Sequence, residues 1–137
     1  MAIYGPMNKL IFVFIGAGTG GLARYWVGTQ SMRWFAMRGP FGTSTSTFIV
    51  NVAGGFLMGM LAGWLAHRGG ADQDKLRLLF GVGLLGGFTT FSAFSLETAL
   101  MIEKRLYGQA LSYVTASVLL SIGALFVGLL VARRIFS

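Results

Sequence analysis

A short set of side chains in this sequence could handle an ion. Thr47, Asn51, Thr89, Thr90, Ser92, Ser95, Glu97, Tyr113, Thr115, Ser117 and Ser121 all fall within long apolar runs. An unpaired polar group in hydrocarbon is costly, so such residues face protein or a water-filled path. The Asn51 amide offers two hydrogen-bond donors. Ser117 and Ser121 are four apart and share a helical face, and Tyr113 extends that row by one more turn. Any one hydroxyl can satisfy itself on its own helix, so singly each reads as a structural contact. Together they read as a polar track through a membrane.

The densest part is residues 86–95, GGFTTFSAFS. Gly86 and Gly87 weaken a helix there, and Thr89 and Thr90 are β-branched, so a break near the middle of this run is expected. A break frees backbone carbonyls, which survive at membrane depth only if something satisfies them. A bound cation or a partner subunit would do so. Beyond the break, Phe91 and Phe94 are three apart, as are Ser92 and Ser95. An aromatic ring has a negative face and a positive edge. Ring edges, hydroxyls and the Asn51 amide could therefore contact a small anion. The competing reading is ordinary aromatic packing, and spacing alone favours it.

These residues need long helices to position them. The chain has 137 residues, 55% hydrophobic and 11% charged, with a mean hydropathy of +0.72. A soluble domain would be about a quarter charged. The pattern predicts an all-α membrane protein, with 1–137 as a single transmembrane domain. A span needs about 20 residues. Four runs qualify, at about 10–28, 47–66, 78–102 and 111–132, joined by connectors 29–46, 67–77 and 103–110. The first run is an anchored helix, not a signal peptide, because Arg24, Tyr25 and Trp26 stand where a cleavage site would be.

The +7 net charge sits mostly at span ends and in connectors, where membrane proteins keep their cations. No basic face interleaved with aromatics remains for nucleic acid. Four spans put both termini on one side, with Lys9, Arg68, Lys75, Arg77, Arg133 and Arg134. The other side holds Arg33, Arg38, Lys104 and Arg105, with Arg24 close by. This asymmetry is weak. Either the chain inserts both ways and pairs antiparallel, or the 67–77 connector sets one orientation.

Several motifs carry less than they suggest. GAGTGG at 16–21 imitates a dinucleotide fingerprint, but the next acid is Asp72, far beyond the required spacing. Gly16 and Gly20, Gly55 and Gly59, and Gly59 and Gly63 instead have the spacing of helix-packing grooves. They argue for a tight bundle and for oligomerisation. His67 is the only histidine and is placed at the membrane interface. With no cysteine and no triad or carboxylate pair, an enzyme is not expected.

LGGFTTFSAFS, preceded by VNVAGG in the second run and GGLARY in the first, resembles the Fluc (CrcB) fluoride channels. The resemblance covers nearly the whole chain. It implies an antiparallel dual-topology homodimer in the inner (plasma) membrane, with two pores passively exporting fluoride. It implies Asn51, Phe91, Phe94, Ser92 and Ser95 as pore residues. Thr47, Glu97, Tyr113, Ser117 and Ser121 would be its polar track, and Arg24 would sit at the vestibule. The carbonyls of Gly86 and Thr89 would hold a central Na+ on the dimer axis. Two departures stand out. Ala93 replaces the second threonine of the usual TTFSTFS, and GTSTST before the second run offers both Thr43 and Thr47, of which spacing to Asn51 favours Thr47. The alternative is a small multidrug or guanidinium exporter, which would need a glutamate in the first run. Only Arg24 is charged there, leaving Glu97 as the one carboxylate within a run. A non-transporting assembly subunit would explain the glycine grooves but not Asn51 or the hydroxyls.

Overall fold

The computed structural model describes residues 6–35 and 38–136. Its first helix is α1 (Pro6–Phe35). A 3-10 turn (Gly42–Ser44) leads into α2 (Thr45–Arg68). The third span combines α3 (Gln73–Leu76), a π-helical stretch (Arg77–Leu85), α4 (Gly86–Phe88) and α5 (Phe91–Glu103), and α6 (Tyr107–Phe136) is the fourth. Four segments are long and apolar enough to cross a bilayer: Met7–Trp34, Gly42–Arg68, Gln73–Glu103 and Tyr107–Phe136. The chain is a multi-pass membrane protein.

The helices outrun the apolar runs. Residues 29–35, expected as connector, continue α1, because no Gly or Pro interrupts them before Gly39 and Pro40. The connector expected at 103–110 shrinks to a turn at 104–106, where Arg105 adopts φ 58° and Leu106 N–H donates to Met101 C=O at 2.9 Å. At the end of α2, Gly69 and Gly70 have φ of 47° and 123°, conformations that glycine adopts without a Cβ penalty.

Two helix pairs dominate the packing. α1 lies along the π-helical stretch, and α2 lies along α6. Backbone-on-backbone contact explains the glycine spacings. A Cβ on Gly16 would come within 2.9 Å of Gly83 Cα, and one on Gly20 within 2.8 Å of the Phe88 nitrogen. One on Gly55 would reach the Ser121 carbonyl at 2.6 Å, and one on Gly59 the Leu129 nitrogen at 2.9 Å. The grooves therefore pack helices within one chain. Gly83, Gly87 and Gly128 are their counterparts on the facing helices, a pairing that spacing within one run does not reveal. The π-helical turns are wider than α turns. Their amide at Gly86 reaches back to Gly81 C=O, and the absence of a side chain at Gly83 lets the stretch come against Gly16 of α1.

Candidate functional site

The helical path of the third span is interrupted at two residues. Thr89 (φ −84°, ψ 160°) and Thr90 (φ −152°, ψ 120°) are extended between α4 and α5. Thr89 N–H still donates to Leu85 C=O at 3.0 Å. Thr90 N–H instead donates to Asn51 Oδ1 at 2.9 Å, and Asn51 Nδ2 donates back to Thr90 C=O at 3.0 Å. This reciprocal pair ties the break to α2 and settles the amide's orientation, because an N–H requires the oxygen. One Nδ2 proton remains beyond the bond to Thr90. Thr90 Oγ1 then caps α5 by accepting from Ala93 N–H at 3.2 Å. The consequence falls on two carbonyls. The α-helical donor for Gly86 C=O would be Thr90 N–H, and for Thr89 C=O it would be Ala93 N–H. Both donors are taken by side chains. Gly54 lets this arrangement form, since a Cβ there would strike the Thr89 methyl.

Beside the break lies a cleft of ≈ 400 Å³ between α2, α5 and α6. Asn51, Thr90, Phe91, Phe94, Ser117 and Ser121 line it. The Phe91 and Phe94 rings are 5.5 Å apart, and Phe91 is 78% exposed. Ser117 Oγ is buried without a hydrogen-bond partner. Ser92 and Ser95 are exposed and do not line this cleft. Ser95 Oγ donates to Phe91 C=O at 2.9 Å, while Ser92 Oγ lies 3.3 Å from Thr90 Oγ1.

A second cluster centres on Glu97. Thr47 Oγ1 donates to Oε1 at 2.7 Å, and Tyr113 OH donates to Oε2 at 2.6 Å. Thr43, the other threonine weighed from spacing, is exposed. The Tyr113 ring is 5.3 Å from that of Phe94, so Phe94 borders both the cleft and this cluster. Arg24 is half-buried and lines a smaller cavity of ≈ 180 Å³ with Thr47, Thr90 and Ala93. Thr90 thus faces both cavities. Thr115 points to an exposed face away from these groups. His67 sits in the last turn of α2, with Nδ1 2.8 Å from Gly63 C=O. Among the described residues, no cluster of His, Cys, Asp or Glu could hold a metal.

Sequence reasoning missed Phe41. Its ring packs edge-on against Tyr113 at 5.1 Å and against Phe48 at 5.3 Å. Its N–H donates to Thr45 Oγ1 at 3.2 Å. Phe41 packs onto Tyr113 from a connector, where helical periodicity carries no signal.

A family model described as CrcB-like protein, Camphor Resistance (CrcB), matches residues 11–129. The chain belongs to the CrcB family. The matched segment contains every residue of both clusters and Arg24. Curated relatives agree along nearly their full length. The Fluoride-specific ion channel FluC of Caulobacter sp. (strain K31) is 63% identical over 131 residues, covering 96% of this chain and 99% of that protein. The proteins of the same name from Caulobacter vibrioides (strain NA1000 / CB15N) and Phenylobacterium zucineum (strain HLK1) are 60% and 58% identical, each match covering 96% of this chain and 100% of the relative.

Proposed function

We propose that this CrcB chain is a fluoride-selective channel of the inner membrane that passively exports F− from the cytoplasm. The observation that carries this reading is the Asn51–Thr90 pair. It fixes an amide donor at the cleft directly beside the Phe91 and Phe94 rings. Fluoride is small and strongly hydrated, so a pore must replace its water with well-placed donors and then let it leave through several weak sites. The second Asn51 N–H, the ring edges and the unpartnered Ser117 hydroxyl are such donors. Ser121 continues the series, while Thr47 and Tyr113 complete the polar track by giving their single hydroxyl protons to Glu97 and holding that carboxylate in place. Arg24 raises the local anion concentration at the neighbouring cavity. Ser92 and Ser95 lie outside the cleft of one chain, so their part in a pore depends on a second chain.

The reading includes an antiparallel, dual-topology homodimer with two pores, supported by the weak charge asymmetry between the two sides. Na+ belongs on its axis. The Gly86 and Thr89 carbonyls fit such an ion, because side chains have taken their helical donors and a hard cation accepts carbonyl oxygens. Bound there, it would supply a fixed positive charge that holds the breaks of two chains together. A proton-coupled exporter would need an acid free to exchange its proton for cargo, and both Glu97 oxygens are engaged. The test is fluoride efflux from liposomes holding the purified protein, read with a fluoride electrode and with chloride as control. Rapid fluoride release with chloride retained is expected. No release from verified, folded dimers would refute the channel.

A further inference from the structure

The end of the bundle that carries the α2 and α6 C-termini divides its cations into two groups. Lys9, Lys75 and Arg77 meet acids: Lys9 is 3.8 Å from Asp74, Lys75 is 2.7 Å from Asp72, and Arg77 is 3.8 Å from Asp74. Arg68, Arg133 and Arg134 are exposed, with no carboxylate within ion-pair distance and no guanidinium hydrogen bond among the described residues, although Asp72 still feels the Arg68 charge more weakly than that of Lys75. The helix ends that carry them pack together. Gly63 of α2 packs against Ala132 of α6, and the ring of the next residue, Trp64, is 6.5 Å from that of Phe136, one turn beyond Ala132. The Arg68 guanidinium lies over the Trp64 ring, 4.9 Å from its centroid. Stacking uses the face of a guanidinium and leaves its N–H edge free to bind an oxyanion in two-pronged fashion. Arg133 is three residues before Phe136, on an adjoining helical face.

We propose that these two helix ends form a binding site for the phosphate of an anionic phospholipid, with Arg68, Arg133 and Arg134 as its ligands. Charge complementarity and position favour a lipid. The three donors stand where apolar spans end, at headgroup depth, and Trp64 is the type of residue that anchors there. Exposed Leu130 and Ile135 continue the apolar surface that acyl chains would cover. Basic groups between helix ends are a known mode of headgroup recognition. The proposal does not depend on fluoride conduction.

The test uses the full chain in bilayers, with Trp26→Phe and Trp34→Phe so that Trp64 is the only tryptophan. Its fluorescence is quenched with bromine-labelled phosphatidylglycerol or phosphatidylcholine, and the ratio of the two gives a relative lipid affinity. A preference for phosphatidylglycerol of about fivefold or more is expected, the effect of at least one arginine at a lipid surface. Arg68→Gln/Arg133→Gln/Arg134→Gln should bring the ratio to about one, while Lys9→Gln/Arg77→Gln should leave it. If the triple variant does not yield monodisperse protein, Arg133→Gln/Arg134→Gln serves in its place. No preference in the parent, or the same loss in both sets of variants, overturns the site. Millimolar inorganic phosphate should not compete; if it abolished the preference, the site would be for a free anion and the lipid assignment would fail.

Discussion

Replacing Asn51 by leucine removes the two bonds that hold the break in the third span. They measure 2.9 and 3.0 Å and join residues 39 positions apart. Two such bonds in a membrane bundle are worth about 0.6 kcal/mol each, setting a floor of about 1 kcal/mol. The ceiling is set by what they leave behind. Thr90 N–H and C=O would both lose their partners, at about 1–3 kcal/mol each. The cleft lets some water reach them, so a loss of about 3 kcal/mol is expected, between those limits. Asn51→Asp separates structure from conduction. Aspartate still accepts from Thr90 N–H but turns an acceptor oxygen toward Thr90 C=O, so its stability loss should be similar to that of leucine. A charged carboxylate 4 Å from a passing anion repels it by about 4 kcal/mol at an effective dielectric of 20. That is enough to cut flux by more than about a hundredfold. The assay pairs thermal unfolding in detergent with liposome efflux. Asn51→Leu and Asn51→Asp should both unfold earlier than the parent, and Asn51→Asp should conduct the less of the two. The reasoning fails if Asn51→Leu matches the parent in unfolding, or if Asn51→Asp conducts like the parent.

Phe91→Ile or Phe94→Ile should lower fluoride flux while leaving the elution profile of the folded protein unchanged; normal flux in both would remove the rings from the path. Ser117→Ala should leave stability within about 0.5 kcal/mol, because the buried hydroxyl has no partner to lose, yet reduce flux. A stability drop above that, measured by thermal unfolding, would place a hidden partner on Ser117. Gly59→Val should prevent folding, since even a Cβ there meets α6 backbone and overpacking costs about 1–3 kcal/mol or more. Gly108→Ala, where nothing lies within 4 Å, should yield normal amounts of monodisperse protein, and equal yields from the two variants would refute the packing account.

Much of this protein is local and therefore legible. Apolar runs of sufficient length demand helices, because a bilayer leaves backbone groups no other partner. The same rule makes Asn51, Glu97 and the hydroxyls conspicuous, and the chemistry of 86–95 marks the weak point of the third span. The length of α1 was less legible, because residues 29–35 are polar enough to resemble a connector yet contain nothing that stops a helix. The π-helical stretch left no signal in composition, since what marks it is a contact between helices, Gly83 against Gly16 of α1.

Which residues the sequence singled out and which ones the structure joined are separate matters. The polar residues and the glycine spacings follow from residue type along one run. That Thr47 and Tyr113 divide the two oxygens of Glu97, that Asn51 holds Thr90, that Ser117 faces the cleft while Ser92 and Ser95 face away, and that Phe41 returns from a connector to cover Tyr113 were decided by tertiary structure alone. The reason is register. Hydropathy is a property of single positions, whereas a hydrogen bond between helices depends on their relative height and rotation, and here those are set by glycines on one helix meeting backbone on another.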